Sequence, residues 1–168
     1  MADISEPLNV LFLCTHNSAR SILAEALLNH LGQGRFRAYS AGSSPRGNQQ
    51  PNPVGLQVLQ RAGVPVNGLR SKSWDEFARP DAPRMDLVIT VCDSAKGEMC
   101  PIWPGHPATA HWGVADPSEG DAPPEVRLEA FRHTMHLLRR RLDLLVNLPV
   151  YRLQKAVLQG TARELAAH

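Results

Sequence analysis

The stretch that decides the fold is Val10-Leu-Phe-Leu-Cys14-Thr-His-Asn-Ser-Ala-Arg20-Ser-Ile-Leu-Ala-Glu25. Its first four residues form an apolar run, which is typical of a β-strand covered on both faces. Leucines at positions 23, 27 and 31 then recur every four residues. This period predicts a helix over residues 19–31, ended by the glycines at 32 and 34. The polar residues between strand and helix form a short connecting loop.

The alternation of strands and helices continues along the chain. Further strands are predicted at residues 36–40, 87–91 and 109–112, and further helices at 53–62, from Pro123-Pro124 to Leu145 and, with a weaker pattern, at 150–165. Strands joined by right-handed helical crossovers form a parallel sheet, so we predict a three-layer α/β sandwich with a four-stranded parallel sheet. We expect residues 1–148 to form one domain and residues 149–168 a C-terminal helical extension.

The composition excludes several classes of partner. A formal net charge of +2 over 168 residues is too small to predict binding to nucleic acid or a membrane surface. The run Arg139-Arg140-Arg141 is expected to be the solvated end of a helix. The N-terminus lacks the features of a signal peptide, and no apolar run approaches the roughly 18 residues of a membrane helix, so we expect a cytoplasmic protein. Three cysteines, an odd number, favour reactive thiols over a disulfide framework.

Three chemically capable residues fall at the same edge of the predicted sheet. Cys14 follows the first strand, Cys92 follows the third, and Asp116 lies just past the fourth. Ligands of open α/β sheets bind beyond the carboxyl ends of the strands. The sequence therefore predicts one site shared by these three residues.

Cys14 and Arg20 enclose five residues directly before a helix, a spacing that favours an anion-binding loop. The N–H groups of such a loop surround an anion at a helix N-terminus, and Arg20 adds a charged fork for two oxygens of a tetrahedral oxyanion. The same groups favour the thiolate form of Cys14. Ser21 can donate a hydrogen bond to that thiolate, and Asn17 can hold the loop together from inside. The alternatives are a structural thiol and a surface arginine. The predicted oxyanion-binding residues are Thr15, His16, Asn17, Ser18, Ala19, Arg20 and Ser21.

This loop and the following Ile22-Leu-Ala-Glu25 resemble the low-molecular-weight protein tyrosine phosphatase superfamily, and more closely its arsenate reductases. The resemblance covers roughly residues 8–146 and is carried further by Tyr39-Ser-Ala-Gly42, Thr90-Val-Cys92-Asp, Cys100-Pro101 and His111-Trp-Gly-Val-Ala-Asp116-Pro117. It implies a four-stranded parallel sheet with helices on both faces. It also implies that Cys14 is the nucleophile, Arg20 the oxyanion clamp and Asp116 the general acid.

Two features separate a reductase from a phosphatase. Phosphatases of this superfamily place aromatic residues after the Asp-Pro pair to bind a phosphotyrosine ring, whereas Ser118 and Glu119 follow here. Cys92 and Cys100 match the resolving cysteines of the arsenate reductases, and a hydrolase needs neither. We therefore expect reduction of arsenate to arsenite through Cys14 and a disulfide relay. The alternatives are hydrolysis of phosphotyrosine or small phosphoesters, and non-catalytic anion sensing.

The resemblance implies partners rather than a tightly bound cofactor. Arsenate is the expected substrate, with phosphate or sulfate as mimics, and the reductant is thioredoxin or glutathione with glutaredoxin. Glu25 and Ser40 match positions that bind potassium in some members, the alternative for Glu25 being a solvated helix residue. His133 and His136 lie three apart on a helix without a third ligand, so no metal site is predicted there.

The loop departs from the superfamily at two positions. His16 stands where glycine is usual, and since glycine tolerates positive φ, an identical loop geometry is not expected. Its side chain either contacts the thiolate or faces solvent. Ala19 stands where a cysteine is common, which excludes a disulfide within the loop. His111 and Trp112 are expected to pack beside the Asp116 loop and position it.

Overall fold

The computed structural model of the protein describes residues 7–44, 47, 49–93 and 108–148. Its strands and α-helices are β1 Leu8–Cys14, α1 Arg20–Gly32, β2 Phe36–Gly42, α2 Pro53–Arg61, β3 Leu87–Thr90, β4 Ala108–His111 and α3 Pro124–Val146. A 3-10 helix, Trp74–Phe77, which the sequence pattern does not predict, lies between α2 and β3. The helix predicted at 150–165 falls outside the described residues. No helix within the described ranges combines the length and apolarity that a membrane crossing requires.

The four strands form one parallel sheet in the order β2-β1-β3-β4. The central strand β1 pairs with β2 from Leu8↔Phe36 to Cys14↔Gly42. On its other side it pairs with β3, where Leu13 lies opposite Thr90. The carboxyl ends of β1 and β3 are therefore neighbours, and the residues that follow them meet at one edge of the sheet.

Alternate residues of β1 face two different hydrophobic layers. Val10 and Phe12 belong to the larger cluster, which also holds the buried residues of α1, α2 and α3. Leu11 belongs to the smaller cluster on the opposite face, where Trp74 and Phe77 of the 3-10 helix pack. Because a strand's side chains alternate between faces, the apolar run of β1 is buried on both. The predicted three-layer sandwich is confirmed.

The ends of α1 and α2 follow local backbone preferences. Helix α1 ends at Gly32, one residue beyond the predicted range, and its C-cap Gln33 adopts left-handed geometry with φ 45°; Gly34, the second of the two predicted stop glycines, follows with φ 86°. Helix α2 begins at Pro53, as predicted, because the Asn52 side chain accepts a hydrogen bond from the amide of Val54 at 2.9 Å.

Arg141 corrects the expectation for the basic run on α3. Arg140 is exposed, but only 8% of Arg141 is, because the residue lies on the helix face that buries Leu138 and Leu145. Residues three and four apart share a helix face, so the hydrophobic period includes this position whatever side chain it carries. Burial lowers the pKa of the Arg141 guanidinium from its ordinary value.

The C-terminal carbonyls of α3 are bound by Arg35. Its guanidinium donates to the carbonyl oxygen of Val146 at 2.6 Å and to that of Leu148 at 3.1 Å. Arg35 directly precedes β2, so these hydrogen bonds fix the end of α3 at the amino edge of the sheet.

Replacing the cap of α2 tests this account of the helix start. We expect Asn52→Ala to lower the free energy of unfolding by about 1 kcal/mol, because the amide of Val54 loses its acceptor. Chemical denaturation followed by circular dichroism measures the change. Gln57→Ala, on the exposed face of the same helix, is the control and is expected to leave stability unchanged or slightly higher. Equal stability of both variants would contradict the proposed cap.

Candidate active site

Cys14 ends β1 and presents a buried sulfur to the loop that follows. The residue is 3% exposed and its thiol is free. The backbone amide of Asn17 donates to Sγ at 3.1 Å, and the hydroxyl of Ser21 lies 2.9 Å from the same atom. Hydrogen bonds of this kind stabilise a thiolate, which is the nucleophilic form of cysteine.

Arg20 begins α1 and brings a guanidinium to the same place. The residue is 6% exposed, and its side chain donates to the carbonyl oxygen of Val114 at 2.9 Å. Helix α1 has no side-chain cap at Ala19 and no acidic residue in its first turn. Since the first N–H groups of a helix carry partial positive charge, this end of α1 favours an anion.

Asp116 faces Arg20 from the loop after β4. One carboxylate oxygen, Oδ1, accepts from the backbone amide of Ser118 at 2.9 Å and from its hydroxyl at 2.6 Å. The other, Oδ2, lies 3.8 Å from the guanidinium of Arg20. Ser118 therefore fixes the orientation of the carboxylate toward the loop of Cys14.

These side chains border a cavity of about 280 Å³ at the carboxyl edge of the sheet. Of the predicted site residues, those that line it are Cys14, His16, Asn17, Ser18, Ala19, Arg20 and Asp116. Thr15 and Ser21 are not among its described lining residues. The rim also contains Gln49, Ser118 and Glu119. Gln49 could not be predicted from the sequence, because it lies in a polar segment with no motif.

The left-handed residue of the loop is Asn17, not His16. Asn17 has φ 59°, whereas His16 is not among the described residues with positive φ. Asparagine adopts this conformation more readily than most residues, so the histidine is accommodated without strain. The Nδ1 atom of His16 lies 3.1 Å from the carbonyl oxygen of Ser44, which holds the ring at the cavity wall.

The side chain of Asn17 ties the loop to its surroundings. It is fully buried, and its Nδ2 atom donates to the hydroxyl of Ser21 at 2.8 Å and to that of Ser40 at 2.9 Å. Its Oδ1 atom accepts from the backbone amide of Lys72 at 2.9 Å. Because the amide group of Asn17 donates to Ser21, the hydroxyl hydrogen of Ser21 is left to point at Cys14.

Gly42 lets a second strand approach the loop closely. A Cβ atom at this position would lie 2.6 Å from the carbonyl oxygen of Thr15. The neighbouring amides of Ser43 and Ser44 donate to the carbonyl oxygens of Cys14 and Thr15 at 3.1 and 2.9 Å. The end of β2 therefore supports the loop from behind, and a side chain there would displace it.

Glu25 is not a solvated helix residue. Its side chain is 14% exposed, accepts a hydrogen bond from the hydroxyl of Ser40, and lies 3.8 Å from the Lys72 ammonium. Burial raises the pKa of Glu25, and Lys72 opposes that rise. Burial lowers the pKa of Lys72, and Glu25 opposes the fall. The two charges are therefore partners in a largely buried ion pair.

Potassium does not fit this position. The Lys72 ammonium donates to the carbonyl oxygens of Ser40 and Arg70 at 2.9 and 2.8 Å and faces the carboxylate of Glu25. A hard cation prefers such oxygens, but here it would lie beside a fixed positive charge. Lys72 was not predicted from the sequence, because no motif or periodicity marks it.

Cys92 lies at the neighbouring strand end. The amide of Val91 donates to the carbonyl oxygen of Leu13 at 2.9 Å. Cys14 and Cys92 are the next residues after this hydrogen-bonded pair, each on its own segment. Cys92 is fully buried and disulfide-bonded. Cys100 lies outside the described residues.

Trp112 and His111 lie where β4 leads to the Asp116 loop. Trp112 is fully buried, and its ring centroid lies 6.4 Å from that of Phe12. His111 is exposed, and its Nδ1 atom lies 2.7 Å from the hydroxyl of Thr90.

His133 and His136 are exposed on α3, and no group of three potential metal ligands occurs within the described residues.

Comparison with known proteins agrees with this geometry. The sequence pattern of the low molecular weight phosphotyrosine protein phosphatase family matches residues 9–158, which is most of the chain. The chain belongs to this family. Its fold is that of the family.

Relatives within the family are named for a redox reaction. An arsenate reductase from Bacillus licheniformis is 33% identical over 79% of this chain and 91% of its own length. The crystal structure of an arsenate reductase from Archaeoglobus fulgidus has a TM-score of 0.66 at 27% identity, over 83% of this chain and 99% of that one. A Corynebacterium glutamicum structure described as a thioredoxin-dependent arsenate reductase has a TM-score of 0.55 at 28% identity, over 84% of this chain and 64% of that one.

Substitution of Gly42 tests the support of the loop. We expect Gly42→Ala to weaken phosphate binding by about a hundredfold, because the added methyl group displaces the Thr15 carbonyl and with it the loop amides. Protection of Cys14 from iodoacetamide by phosphate gives the affinity. Gly47→Ala, whose Cβ would meet nothing within 4 Å, is the matched control. Unchanged phosphate affinity in Gly42→Ala would show that the close approach is not required.

Proposed function

We propose that this protein reduces arsenate to arsenite through Cys14. The observation that carries the proposal is the free, buried Cys14 thiol at an oxyanion-sized cavity beside a disulfide-bonded Cys92. A hydrolytic enzyme needs the first group but not the second. The arsenate reductase from Bacillus licheniformis, at 33% identity, supports the same choice.

Binding of arsenate relies on the loop and on Arg20. The loop amides and the N-terminus of α1 point partial positive charge at the cavity, and the Arg20 guanidinium can bind two oxygens of the tetrahedral anion. Phosphate and sulfate have the same shape and are expected to compete. The substrate is thus held with its central atom in front of the Cys14 sulfur.

The first chemical step joins sulfur to arsenic. The Cys14 thiolate attacks protonated arsenate, the bond from arsenic to a hydroxyl group breaks, and that hydroxyl group takes a proton from Asp116 and leaves as water. Asp116 suits this task because Ser118 binds its Oδ1 atom and leaves Oδ2 facing the site. The hydroxyl of Ser21 and the backbone amide of Asn17 lie within hydrogen-bond distance of the attacking sulfur.

The second step transfers two electrons to arsenic. The Cys92 thiolate attacks the sulfur of Cys14, a disulfide forms as the sulfur–arsenic bond breaks, and the electron pair leaves with arsenic(III) as arsenite. Cys100 then attacks Cys92, which releases the Cys14 thiolate and leaves a disulfide between positions 92 and 100. A free Cys14 together with a disulfide-bonded Cys92 is the distribution expected at the end of this relay.

Thioredoxin is the proposed reductant of that final disulfide. The Corynebacterium glutamicum relative described as thioredoxin-dependent supports this choice. In the alternative route glutathione replaces Cys92 as the attacking thiol, and glutaredoxin completes the cycle. Both reductants act in a reducing compartment, which agrees with the expected cytoplasmic location.

The rim of the cavity favours a small inorganic anion over an aryl phosphate. Gln49, Ser118 and Glu119 line it, and none of these polar side chains offers a ring or an apolar surface to a phosphotyrosine. Residues 1–148 are proposed to form the catalytic domain, and residues 149–168 a C-terminal helical extension.

Two cysteine variants test the relay. With thioredoxin as recycling system, Cys92→Ser is expected to lower arsenate turnover by at least about a hundredfold, since the thiolate that attacks Cys14 in the proposed relay is removed. Cys100→Ser is the matched control and is expected to release arsenite once per molecule and then stop. Arsenite yield per protein molecule, and mass spectrometry of the disulfides, measure both outcomes.

Two results would contradict the proposal in different ways. Full turnover by Cys92→Ser with glutathione and glutaredoxin would replace the internal relay with the glutathione route. Hydrolysis of aryl phosphate by the wild type without arsenate reduction would show that the protein is a phosphatase instead.

A further inference from the structure

A buried cation lies behind the cysteine loop, on the side away from the cavity. The Lys72 side chain is 8% exposed, and its Nζ atom donates to the carbonyl oxygens of Ser40 and Arg70. The carboxylate of Glu25 lies 3.8 Å from the same nitrogen. Moving a lysine out of water is unfavourable unless its charge is paired, and here the two carbonyl oxygens and the carboxylate pair it.

Two paths connect Lys72 to the nucleophile. Through its backbone, the amide of Lys72 donates to Oδ1 of Asn17 and so fixes which end of that side chain faces Ser21. Through its ammonium, Lys72 balances Glu25, which accepts from the hydroxyl of Ser40. Ser40 in turn accepts from Asn17. Of the side-chain donors in this network, the hydroxyl of Ser21 is therefore the one that is left to face Cys14, beside the backbone amide of Asn17.

We propose that Lys72 is a positioning residue for Cys14, and that its ammonium serves as a built-in cation, so that this protein needs no alkali metal ion. The proposal rests on the role of Cys14 as nucleophile proposed above. In the described contacts the Lys72 ammonium touches neither a residue that lines the cavity nor the sulfur, and only the Lys72 backbone amide contacts a lining residue, Asn17.

The charges around the network explain why a cation is needed. Without Lys72, the buried carboxylate of Glu25 would be an uncompensated anion joined by hydrogen bonds to a second anion, the thiolate. Arg70 is a poor substitute, because both of its terminal nitrogens bind the carboxylate of Glu76, at 2.9 and 2.6 Å.

The charged and titratable groups that face Cys14 from the cavity make no described contact with the Lys72 ammonium. Arg20 and Asp116 oppose one another there at 3.8 Å, and His16 is held by Ser44. A change in the reactivity of Cys14 on substitution of Lys72 therefore reports on the network behind the loop.

The test measures alkylation of Cys14 by iodoacetamide across pH, by mass spectrometry on the full-length protein. For Lys72→Ala we expect the pH midpoint of alkylation to rise by about one pH unit. Potassium is expected to reverse the rise, because it can occupy the oxygens that Lys72 leaves. The wild-type midpoint is expected to be the same in potassium, sodium or choline chloride. Arg79→Ala, which removes an exposed cation from the same segment, is the control and should match the wild type.

A charge-balanced variant separates the electrostatic role from loss of packing. Lys72→Met combined with Glu25→Gln removes both charges, so we expect its alkylation midpoint to return to that of the wild type even if thermal stability falls. A midpoint that stays raised in the double variant would overturn the proposal, as would a wild-type midpoint in Lys72→Ala or a wild-type protein that responds to potassium. Because this measurement uses no arsenate, absence of arsenate reduction in the wild type would disprove the proposed function alone.

Discussion

The structure of the site depends on the hydrogen bonds of one buried side-chain amide, that of Asn17. It is fully enclosed, adopts a left-handed backbone conformation, and makes hydrogen bonds with Ser21, Ser40 and the backbone of Lys72. A buried amide that lacks partners is costly, so the segments that carry those partners must come together for the loop to form. The anion-binding loop is thus held from the core side, and its cavity side stays free for a ligand.

Sequence alone predicts the framework of this arrangement well. Strand β1, helix α1 and the placement of Cys14, Arg20 and Asp116 at one sheet edge follow from local patterns of apolar residues and from the geometry of parallel sheets. Lys72 could not be predicted, because its contacts with Asn17 and Ser40 join segments far apart in the chain. The charge of Arg141 predicts exposure, whereas the helical period of α3 places the residue on the buried face, and the period decides its position.

One fold can serve two reactions because different segments bind the anion and determine the fate of the intermediate. In the proposed reduction, as in hydrolysis, the loop of Cys14 binds the tetrahedral anion and its sulfur attacks it. The proposed fate of the intermediate depends on the cysteine at the neighbouring strand end, Cys92 in this chain, and on the polar rim at Ser118 and Glu119. Since these residues lie on separate elements, a reductase and a hydrolase can differ at the rim and at one strand end while sharing the same loop.

The contact between Arg35 and the end of α3 has a practical consequence. Arg35 precedes β2, at the amino edge of the sheet, whereas the cavity lies at the carboxyl edge. The end of α3 at Leu148 therefore lies on the far side of the sheet from Cys14. A fluorescent label attached at this end of α3 would leave the cavity open to solvent and to a protein that delivers electrons.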